Sequence, residues 1–424
     1  MSHYKPYPAY KDSGVEWLGM VPEHWDVRKL KWLASLQSGD FITSETIEEE
    51  GEYPVYGGNG LRGYCAAFTH EGAYALVGRQ GALCGNINYA DGKFWASEHA
   101  VVVSPYVPTA VRWLGELLRA MNLGQYSVSS AQPGLAVERI IDLFLPVPPE
   151  SERQIIAVYM GRETARIDAL IEKKTRFIEL LREKRQALIT HAVTKGLDPN
   201  VRMKDSGVEW LGEVPEHWKM LPLKRLISSI GQGWSPECEA RIPEEGEWGV
   251  VKVGCVNGGV FRPEESKALP TQMESRPELS LRAGDVLISR ANTRELVGSC
   301  AVVPHDYPYL MLCDKLYRVG CGERVTPDFL AALVTVYGRR AVEIEATGAS
   351  SSMVNIAQSV ILDLLVAVPD ADEQVEIISR VSAATTRIEH LREKTERSIK
   401  LLKERRSALI TAAVTGQIDL REAV

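Results

Sequence analysis

Three glycines in the first half of the chain have the spacing of a nucleotide-binding loop. Gly58, Gly60 and Gly63 spell G-x-G-x-x-G. That motif binds a dinucleotide when it follows a strand, opens a helix and precedes an acidic residue by about 20 positions. The residues that come next, GYCAAF at 63–68, are typical of another strand. We therefore predict a hairpin or a loop turn here, with no site for a dinucleotide or for S-adenosylmethionine.

Other residue types that could carry catalysis do not form a catalytic pattern. The sequence has no G-x-x-x-x-G-K-[ST] phosphate loop. Residues 147–150, VPPE, lack the Asn and the aromatic ring of an adenine-methyltransferase tetrapeptide. His24 and His217 each precede a tryptophan in a repeated block, which favours packing over catalysis. We expect no catalytic centre and no metal site in this chain.

The cysteines do not have the spacing of a zinc site or of a disulfide framework. They are odd in number and scattered, and no two form C-x-x-C. Reduced, mostly buried thiols are the simplest expectation. The seven residues are Cys65, Cys84, Cys238, Cys255, Cys300, Cys313 and Cys321.

The overall composition is that of a globular protein with an acidic balance. The chain has 424 residues, of which 45% are hydrophobic and 25% charged, and its net charge is −7. This charge excludes a uniformly basic nucleic-acid binder, but it does not exclude local patches of Lys and Arg. No apolar run approaches the roughly 18–20 residues of a membrane span, and the amino-terminal residues are polar. We expect a cytoplasmic protein.

Two blocks of the sequence occur twice. Residues 11–25 and 204–218 match at fourteen of fifteen positions, and ALITHAVT at 187–194 returns as ALITAAVT at 408–415. The segments between these blocks, 26–147 and 219–368, show little similarity to each other. Shared ends around different middles predict a common scaffold that presents two different binding modules. Duplication followed by drift is the alternative, although drift would not normally spare the ends alone.

Each unit closes on a stretch that has the pattern of a long helix. About 45 residues, or roughly 65 Å of helix, separate capping signals at Ser151 and Asp370 from Gly196 and Gly416. Heptad-spaced apolar residues predict a coiled-coil seam between two helices, antiparallel because a large domain lies between them. The charged remaining faces are solvated flanks or a docking surface for partner subunits. The predicted seam residues are Met160, Ile167, Leu181, Leu188, Val381, Ile388, Leu402 and Leu409.

The middle segments contain short β-like runs separated by Gly, Asn and Pro, with two helical stretches. We therefore predict an α+β fold with a pseudo-twofold internal repeat. In it, two mixed α/β domains are joined by two long antiparallel coiled-coil helices. The predicted boundaries are 1–150 for the first domain, 151–198 for the first helix, 199–369 for the second domain and 370–424 for the second helix.

Together these pieces resemble the specificity subunits of type I restriction–modification systems. The resemblance rests on KDSGVEWLGxVPEHW, YPVYGGNGLRGY, GDVLISR and the tail ETARIDALIEKKTRFIELLREKRQALITHAVTKGLD, and it covers essentially the whole chain. It implies two target-recognition domains that bind a two-part, asymmetric DNA sequence. It also implies two methyltransferase subunits and motor–nuclease subunits as partners. These partners would hold S-adenosylmethionine, ATP and Mg, so the chain would be non-catalytic and without a cofactor of its own.

On this resemblance, polar residues in the turn-rich loops are the candidates for contact with DNA. Arg and Lys suit guanine, and Asn and Gln suit adenine, when they reach base edges in the major groove. A phosphate contact or a plain surface position is the alternative for each residue. The candidates are Arg62, Arg79, Gln80 and Gln132 in the first domain, and Gln232, Lys252, Arg290, Asn292 and Arg294 in the second.

Two other functions are compatible with parts of this pattern. A coiled-coil scaffold could carry two modules that bind proteins, and its lack of salt-dependent DNA binding would reveal it. A self-sufficient fusion of a methyltransferase with a specificity subunit is disfavoured because the methyltransferase motifs are absent. The loops at 129–134 and 348–355 are weaker candidates for contact with the DNA backbone.

Overall fold

A computed structural model of the protein describes residues 5–81, 83–127, 134–338 and 354–422. The chain forms two compact units. Unit 1 comprises Met1–Phe177 with Lys394–Val424, and unit 2 comprises Ile178–Glu393. Each unit therefore contains one set of sheets together with about half of each long helix. The four-part division at residues 150, 198 and 369 stays a prediction.

Unit 1 is built on two four-stranded sheets. Its described strands are β1 (Tyr10–Asp12), β2 (Met20–Pro22), β3 (Asp26–Lys29), β4 (Ala34–Ser38), β5 (Tyr53–Gly57), β6 (Gly60–Cys65), β7 (His70–Glu71), β8 (Tyr74–Gly78), β9 (Ile87–Ala90), β10 (Lys93–Ala96), β11 (Ala100–Pro105) and β12 (Phe144–Val147). One sheet has the order β4-β11-β8-β9 and the other β6-β5-β10-β7. Strands β1 with β2, and β3 with β12, form two smaller pairs. The predicted hairpin is confirmed, because β5 and β6 pair antiparallel around Gly58.

Short helices and apolar strands supply the core of unit 1. Strand β11, AVVVSP, is central in its sheet, and its β-branched side chains are buried. The helices α1 (Val111–Ala120) and α2 (Val137–Ile140) follow it, and α1 buries Trp113, Leu114 and Leu117. Turns of 3₁₀ helix occur at Leu30–Trp32, Ser44–Thr46 and Leu123–Tyr126.

Unit 2 repeats this architecture. Its described strands are β13 (Met203–Asp205), β14 (Glu213–Pro215), β15 (Lys219–Pro222), β16 (Ile227–Gln232), β17 (Gly249–Val251), β18 (Ser266–Ala268), β19 (Ser280–Leu281), β20 (Val286–Ser289), β21 (Ala291–Asn292), β22 (Cys300–Val302), β23 (Tyr307–Met311), β24 (Leu316–Cys321), β25 (Val354–Asn355) and β26 (Leu365–Val368). The two large sheets have the orders β16-β24-β20-β22 and β18-β17-β23-β19. The smaller pairs are β13-β14, β15-β26 and β21-β25.

The helical segments of unit 2 occupy corresponding places in the chain. The helix α4 (Pro327–Leu333) continues as a π-helical turn at Val334–Gly338. The helix α5 (Gln358–Leu362) precedes β26. Turns of 3₁₀ helix occur at Leu223–Arg225, Val253–Gly259 and Pro277–Leu279.

The two dissimilar middles of the sequence therefore share one topology. In both units one large sheet follows the same order. Its first strand in the chain pairs with its last, its last pairs with a central strand, and that central strand pairs with the remaining one. The second large sheet contains one parallel pair in each unit, β5 with β10 and β17 with β23. The predicted α+β fold with an internal repeat is confirmed.

The two long helices are α3 (Glu150–Lys195) and α6 (Ala371–Val414), close to the predicted ranges. Helix α6 has the expected cap, because the amide of Glu373 donates to Asp370 Oδ1 at 2.9 Å. Ser151 does not cap α3. The helix already begins at Glu150, and the carbonyl of Pro149 accepts from the amides of Glu152 and Arg153.

Within each unit the two long helices run antiparallel. In unit 1 the start of α3, with Ile156 and Met160, shares a hydrophobic core with the end of α6, with Ile410 and Val414. In unit 2 the end of α3, with Val193, shares a core with the start of α6. An ion pair crosses the helices of unit 1, where Arg406 Nε lies 2.9 Å from Asp168 Oδ1.

The corresponding place in unit 2 also brings a carboxylate of one helix near an arginine of the other. The hydrogen bond from Arg392 is the main cause that lowers the pKa of Glu389, and the positive charges of Arg185 and Arg262 act in the same direction. The facing sides of the two helices therefore carry opposite charges as well as apolar side chains.

Most predicted seam positions face the interior of the protein. Ile189, which is 7% exposed, takes the inward position beside Leu188, which is 36% exposed. A straight helix drifts relative to a strict seven-residue repeat, so a pattern followed over several heptads misplaces a position near its end. Met160, Ile167, Leu181, Ile388 and Leu409 are buried, and Val381 and Leu402 are half-buried.

A buried glutamate ties the repeated sequence block to the helices. Glu152 is on the first turn of α3, and its carboxylate accepts from Trp25 Nε1 at 2.9 Å and from the Tyr7 hydroxyl at 3.1 Å. His24 Nε2 lies 2.6 Å from the same carboxylate. Burial, together with the Glu152 charge, raises the pKa of Tyr7 well above its usual range, so this hydroxyl keeps its proton.

Unit 2 contains the same arrangement. Glu373, on the first turn of α6, accepts from Trp218 Nε1 at 3.1 Å, and His217 Nε2 lies 2.8 Å away. The far end of the other long helix closes each cluster. Gly196 packs beside Trp218 and Gly416 beside Trp25, both with φ of +75°, where a β-carbon would be strained. Both histidines therefore contact a carboxylate at the start of a long helix. The sequence did not indicate this carboxylate.

We expect Glu152→Gln to destabilise unit 1 by about 1–3 kcal/mol. The glutamine amide nitrogen is a donor, and it would face the buried donors of Trp25 and Tyr7 that now bind the carboxylate. Hydrogen exchange measured by mass spectrometry should speed up in residues 5–25 and 409–420 and stay unchanged in residues 204–218. Glu150→Gln, on the same helical turn but half-exposed beside Arg153, is the control. Equal exchange in both variants would contradict the role of Glu152.

Candidate nucleic-acid interface

In each unit, one end of the sheets collects polar side chains from separate strands. In unit 1 this is the end at which β4 and β8 finish and β11 begins. The β5–β6 hairpin lies against it, since a β-carbon on Gly58 would be 3.1 Å from the carbonyl oxygen of His99 and 3.4 Å from that of Gln80. We call this cluster polar end 1, and define it as Ser38, Arg62, Arg79, Gln80 and His99.

Arg79 is at the centre of polar end 1. Its amide donates to the carbonyl of His99 at 2.9 Å, and its carbonyl accepts from the amide of Leu135 at 2.8 Å. Its guanidinium donates to Ser38 Oγ at 3.1 Å. The backbone of Arg79 is thus fixed on both sides, and one hydrogen bond orients the half-buried side chain while further N–H groups stay available.

The other two predicted residues of this end are more exposed. Gln80 follows Arg79 directly, and Arg62 lies on β6. The alkyl chain of Arg62 covers Gly57 so closely that a β-carbon there would be 2.4 Å from Arg62 Cδ. The structure therefore brings Arg62, Arg79 and Gln80 to one surface.

The corresponding end of unit 2 is polar end 2, which we define as Gln232, Lys252, Arg290 and Lys315. Arg290 directly follows β20, and its amide donates to the carbonyl of Lys315 at 3.0 Å. Its guanidinium donates to the carbonyl of Asp314 at 3.3 Å and lies over the ring of Tyr317. Gln232 ends β16 and is exposed. Lys252 follows β17, and its Nζ lies 3.5 Å from Glu265 Oε2.

The remaining predicted residues are placed differently. Arg294 is exposed on the turn after β21. Asn292 is buried, and its side chain serves local structure, because Oδ1 accepts from the amide of Thr293 at 2.9 Å. Its amide group is therefore not directed to solvent. Gln132 lies outside the described residues, as do most of the loops at 129–134 and 348–355.

Two glycines hold the strand ends of these clusters in position. A β-carbon on Gly39, after β4, would lie 2.1 Å from the carbonyl oxygen of Ala96. A β-carbon on Gly233, after β16, would lie at the same 2.1 Å from the carbonyl oxygen of Leu312. Any side chain at either position would separate the first strand of the module from the chain segment that it crosses.

Both polar ends contain buried polar atoms that lack a partner among the described residues. These atoms are His99 Nδ1 in unit 1 and Arg290 Nε in unit 2, and Asn88 Nδ2 lies beside the β5–β6 hairpin. Buried polar atoms in native proteins are almost always hydrogen-bonded. The described residues contain five further atoms of this kind, with Glu98 Oε2 beside His99 among them. The guanidinium donors at the two ends suit an acceptor-rich ligand.

Sequence reasoning missed Ser38, His99 and Lys315. His99 directly precedes β11, Lys315 directly precedes β24, and Ser38 ends β4. The pairing register brings these positions to the arginines, and that register is not readable from the sequence of either strand alone. A polar residue at the edge of a strand next to glycine, as in Ser38-Gly39, was the available signal.

The side chains that could hold a metal ion or act as nucleophiles are placed as follows. The described residues contain no group of three or more His, Cys, Asp or Glu side chains that could hold a metal ion. All seven cysteines are free thiols. Burial raises the pKa of both Cys313 and Cys321 to about 11, so these thiols stay protonated and unreactive at neutral pH. No helix in the same ranges combines the length and the apolar character of a membrane span.

Comparison with known proteins finds similarity to one family. Residues 22–180 match the family described as the type I restriction modification DNA specificity domain. Over 127 residues the chain is 47% identical to the EcoprrI specificity subunit of Escherichia coli, which is 29% of this chain and 31% of that protein. Both matches cover less than half of this chain.

Another specificity subunit matches a larger part of the chain. The EcoKI specificity subunit of Escherichia coli strain K12 is 21% identical over 308 residues, which is 70% of this chain and 63% of that protein. The matches to the EcoprrI and EcoEI subunits span about a third of those two proteins, at 31% and 29%.

Solved structures share the fold of this chain. One chain comes from a solved structure that concerns complex assembly and conformational transition of the type I R-M system. Its TM-score is 0.67 at 15% identity, over 94% of this chain and 99% of that one. The HsdS subunit from Thermoanaerobacter tengcongensis has a TM-score of 0.51 at 14% identity, over 94% and 98%. At these identities the likeness concerns the fold alone.

We expect Gly233→Ala to destabilise unit 2 by about 1–3 kcal/mol, because the added carbon overlaps the Leu312 carbonyl. Gly231→Ala, two residues earlier and with open space around it, is the matched control. Thermal unfolding followed by circular dichroism should show a lower Tm for Gly233→Ala alone. Identical melting of the two variants would argue against a fixed strand crossing at this end.

Proposed function

We propose that this chain is the DNA-recognition subunit of a type I restriction–modification complex and that it reads a two-part, asymmetric sequence. One observation carries the proposal. The same topology occurs twice, and each copy ends in a cluster of polar side chains in which equivalent positions hold different residues. Ser38 corresponds to Gln232, and His99 corresponds to Lys315. Two modules with one frame and different polar groups suit two different targets.

Duplex DNA is the target that fits these side chains. Its major groove presents a distinct pattern of donors and acceptors for each base pair, and Arg, Lys and Gln side chains match those patterns. The net charge of −7 does not oppose this, because DNA binding depends on where individual cationic side chains lie and not on the total charge. We assign contact with DNA to Arg62, Arg79 and Gln80 in unit 1, and to Gln232, Lys252 and Arg290 in unit 2. Arg294 is a further candidate because it is exposed, and Gln132 and Asn292 stay predictions with less support.

We further propose that the long helices fix the separation of the two half-sites. Helix α3 alone has 46 residues, or roughly 70 Å of continuous helix. Half-sites contacted from one face of a duplex are about one turn apart, roughly 34–36 Å. The base pairs between them would not be read, which gives a site with an unread gap.

Catalysis belongs to partner subunits in this proposal. Two methyltransferase subunits would bind S-adenosylmethionine and methylate adenine, and motor–nuclease subunits would use ATP and Mg. Reaching the adenine requires flipping it out of the base stack into the pocket of a methyltransferase subunit. This chain would position those partners in the cytoplasm without a cofactor of its own.

The salt dependence of duplex binding tests the choice between DNA and protein targets. Because neutralised phosphates release counterions, the logarithm of the association constant should fall linearly with the logarithm of salt concentration. Arg62→Ala should weaken binding and reduce this slope, by about 0.9 for each lost phosphate contact. Arg28→Ala is the control, since Arg28 pairs with Asp26 on β3, away from polar end 1. Duplex binding that ignores salt would favour the protein-binding scaffold.

Methylation mapping tests the two-part site. Replacing residues 219–368 with a second copy of 26–147, in complex with the methyltransferase subunits, should replace one half of the methylated sequence by a repeat of the other. The shared topology makes this exchange compatible with the fold. Genome-wide detection of methylated adenines with and without the exchange measures the result. An unchanged sequence in both halves would contradict the modular proposal.

A further inference from the structure

Arg79 and Arg290 occupy the same place in the two units. Each residue directly follows the central strand of its sheet, β8 or β20. The amide of Arg79 donates to the carbonyl of His99, just before β11, at 2.9 Å. The amide of Arg290 donates to the carbonyl of Lys315, just before β24, at 3.0 Å. The strand register agrees with this correspondence, because Gly78 pairs with Ala100 and Ser289 pairs with Leu316.

The backbone around the two arginines also corresponds. The carbonyl of each arginine accepts from an amide at 2.8 Å, that of Leu135 in unit 1 and that of Ile356 in unit 2. The carbonyl of the residue before each arginine accepts a hydrogen bond from the amide of a glycine. Gly85 donates to the carbonyl of Gly78 at 2.7 Å, and Gly298 donates to that of Ser289 at 2.8 Å. One frame therefore presents an arginine at the same point in both units.

The residues around these arginines differ between the units. Ser38, which ends β4 in unit 1, corresponds to Gln232, which ends β16 in unit 2. His99 corresponds to Lys315 directly before the last strand. His99 is half-buried with an unpartnered Nδ1, whereas Gln232 and Lys315 are exposed. The side chains beside the common arginine thus offer different hydrogen-bonding groups in the two units.

We propose that Arg79 and Arg290 bind the DNA backbone in both half-sites, and that the pairs Ser38/Gln232 and His99/Lys315 determine which bases each half-site contains. This inference rests on the proposed function. Two modules that read different sequences need an identical residue only for a chemical group that all DNA shares, and that group is the phosphate. A guanidinium suits phosphate oxygens because it offers paired donors in one plane.

The hydrogen bonds of the two guanidinium groups leave them able to bind in this way. Arg79 uses one bond to Ser38 Oγ and Arg290 one bond to the carbonyl of Asp314. These bonds orient each side chain before DNA arrives and leave several of its five N–H donors for a phosphate. At the differing positions, lysine can donate to guanine and glutamine can pair with adenine.

The test compares alanine variants of the common and of the differing positions in the assembled complex with methyltransferase subunits. Arg79→Ala and Arg290→Ala should weaken binding to cognate and random duplexes by the same factor, lower the salt slope by about 0.9 and leave the methylated sequence unchanged. His99→Ala and Lys315→Ala should instead weaken cognate binding by about 5- to 150-fold, corresponding to 1–3 kcal/mol, with little effect on random duplexes. Each should relax the methylated sequence in one half-site only.

Two results would overturn this assignment. Relaxed sequence choice in one half-site after Arg290→Ala would make the arginine a base reader. An unchanged methylated sequence after both His99→Ala and Lys315→Ala would remove these residues from base recognition. Arg79→Lys and Arg290→Lys, which keep the charge, should recover most of the salt slope even if the alanine variants fold poorly. Salt-independent binding by the unmodified chain would overturn the proposed function itself, whereas altered sequence choice in the arginine variants would overturn this inference alone.

Discussion

The carboxylate at the start of each long helix, which accepts from the tryptophan of the repeated block, is the interaction on which both units depend. A carboxylate removed from water is destabilising by several kcal/mol unless donors surround it. Glu152, which is buried, therefore requires the indole and imidazole groups of the repeated block to be in place, and the half-buried Glu373 binds the same two groups in unit 2. That block is followed within a few residues by the first strand of each module, so the clusters determine where the strands begin. The end of the other long helix closes the same clusters through a glycine.

The sequence allowed the scaffold to be predicted well because the scaffold is where the repeats are. Identical blocks marked its ends, and heptad spacing located both long helices to within a few residues at their starts. The carboxylate clusters were not predictable in the same way. Glu152 is 128 residues beyond His24, and nothing in the spacing of two such distant residues indicates that they meet.

The recognition modules show where prediction from sequence ends. Their strands have dissimilar residues, yet they pair in the same order, because long-range register depends on burial that the two sequences achieve with different side chains. Arg79 and Arg290 were selected separately as loop residues, and their equivalence emerged only from the strand pairing. The burial of Asn292, whose side chain bonds within a turn, was not indicated by its sequence neighbours, and the exposure of Leu188 follows from the drift of a helix relative to a strict heptad.

The composition of the two cores has a consequence for biosynthesis. Unit 2 is a continuous stretch of the chain, whereas the core of unit 1 includes Leu409, Val414 and Leu420 from its last part. A ribosome makes the amino-terminal strands of unit 1 first and the residues that complete their core last. Unit 2 can therefore finish folding while nascent unit 1 still lacks part of its interior, which reverses the usual order in which domains mature during translation.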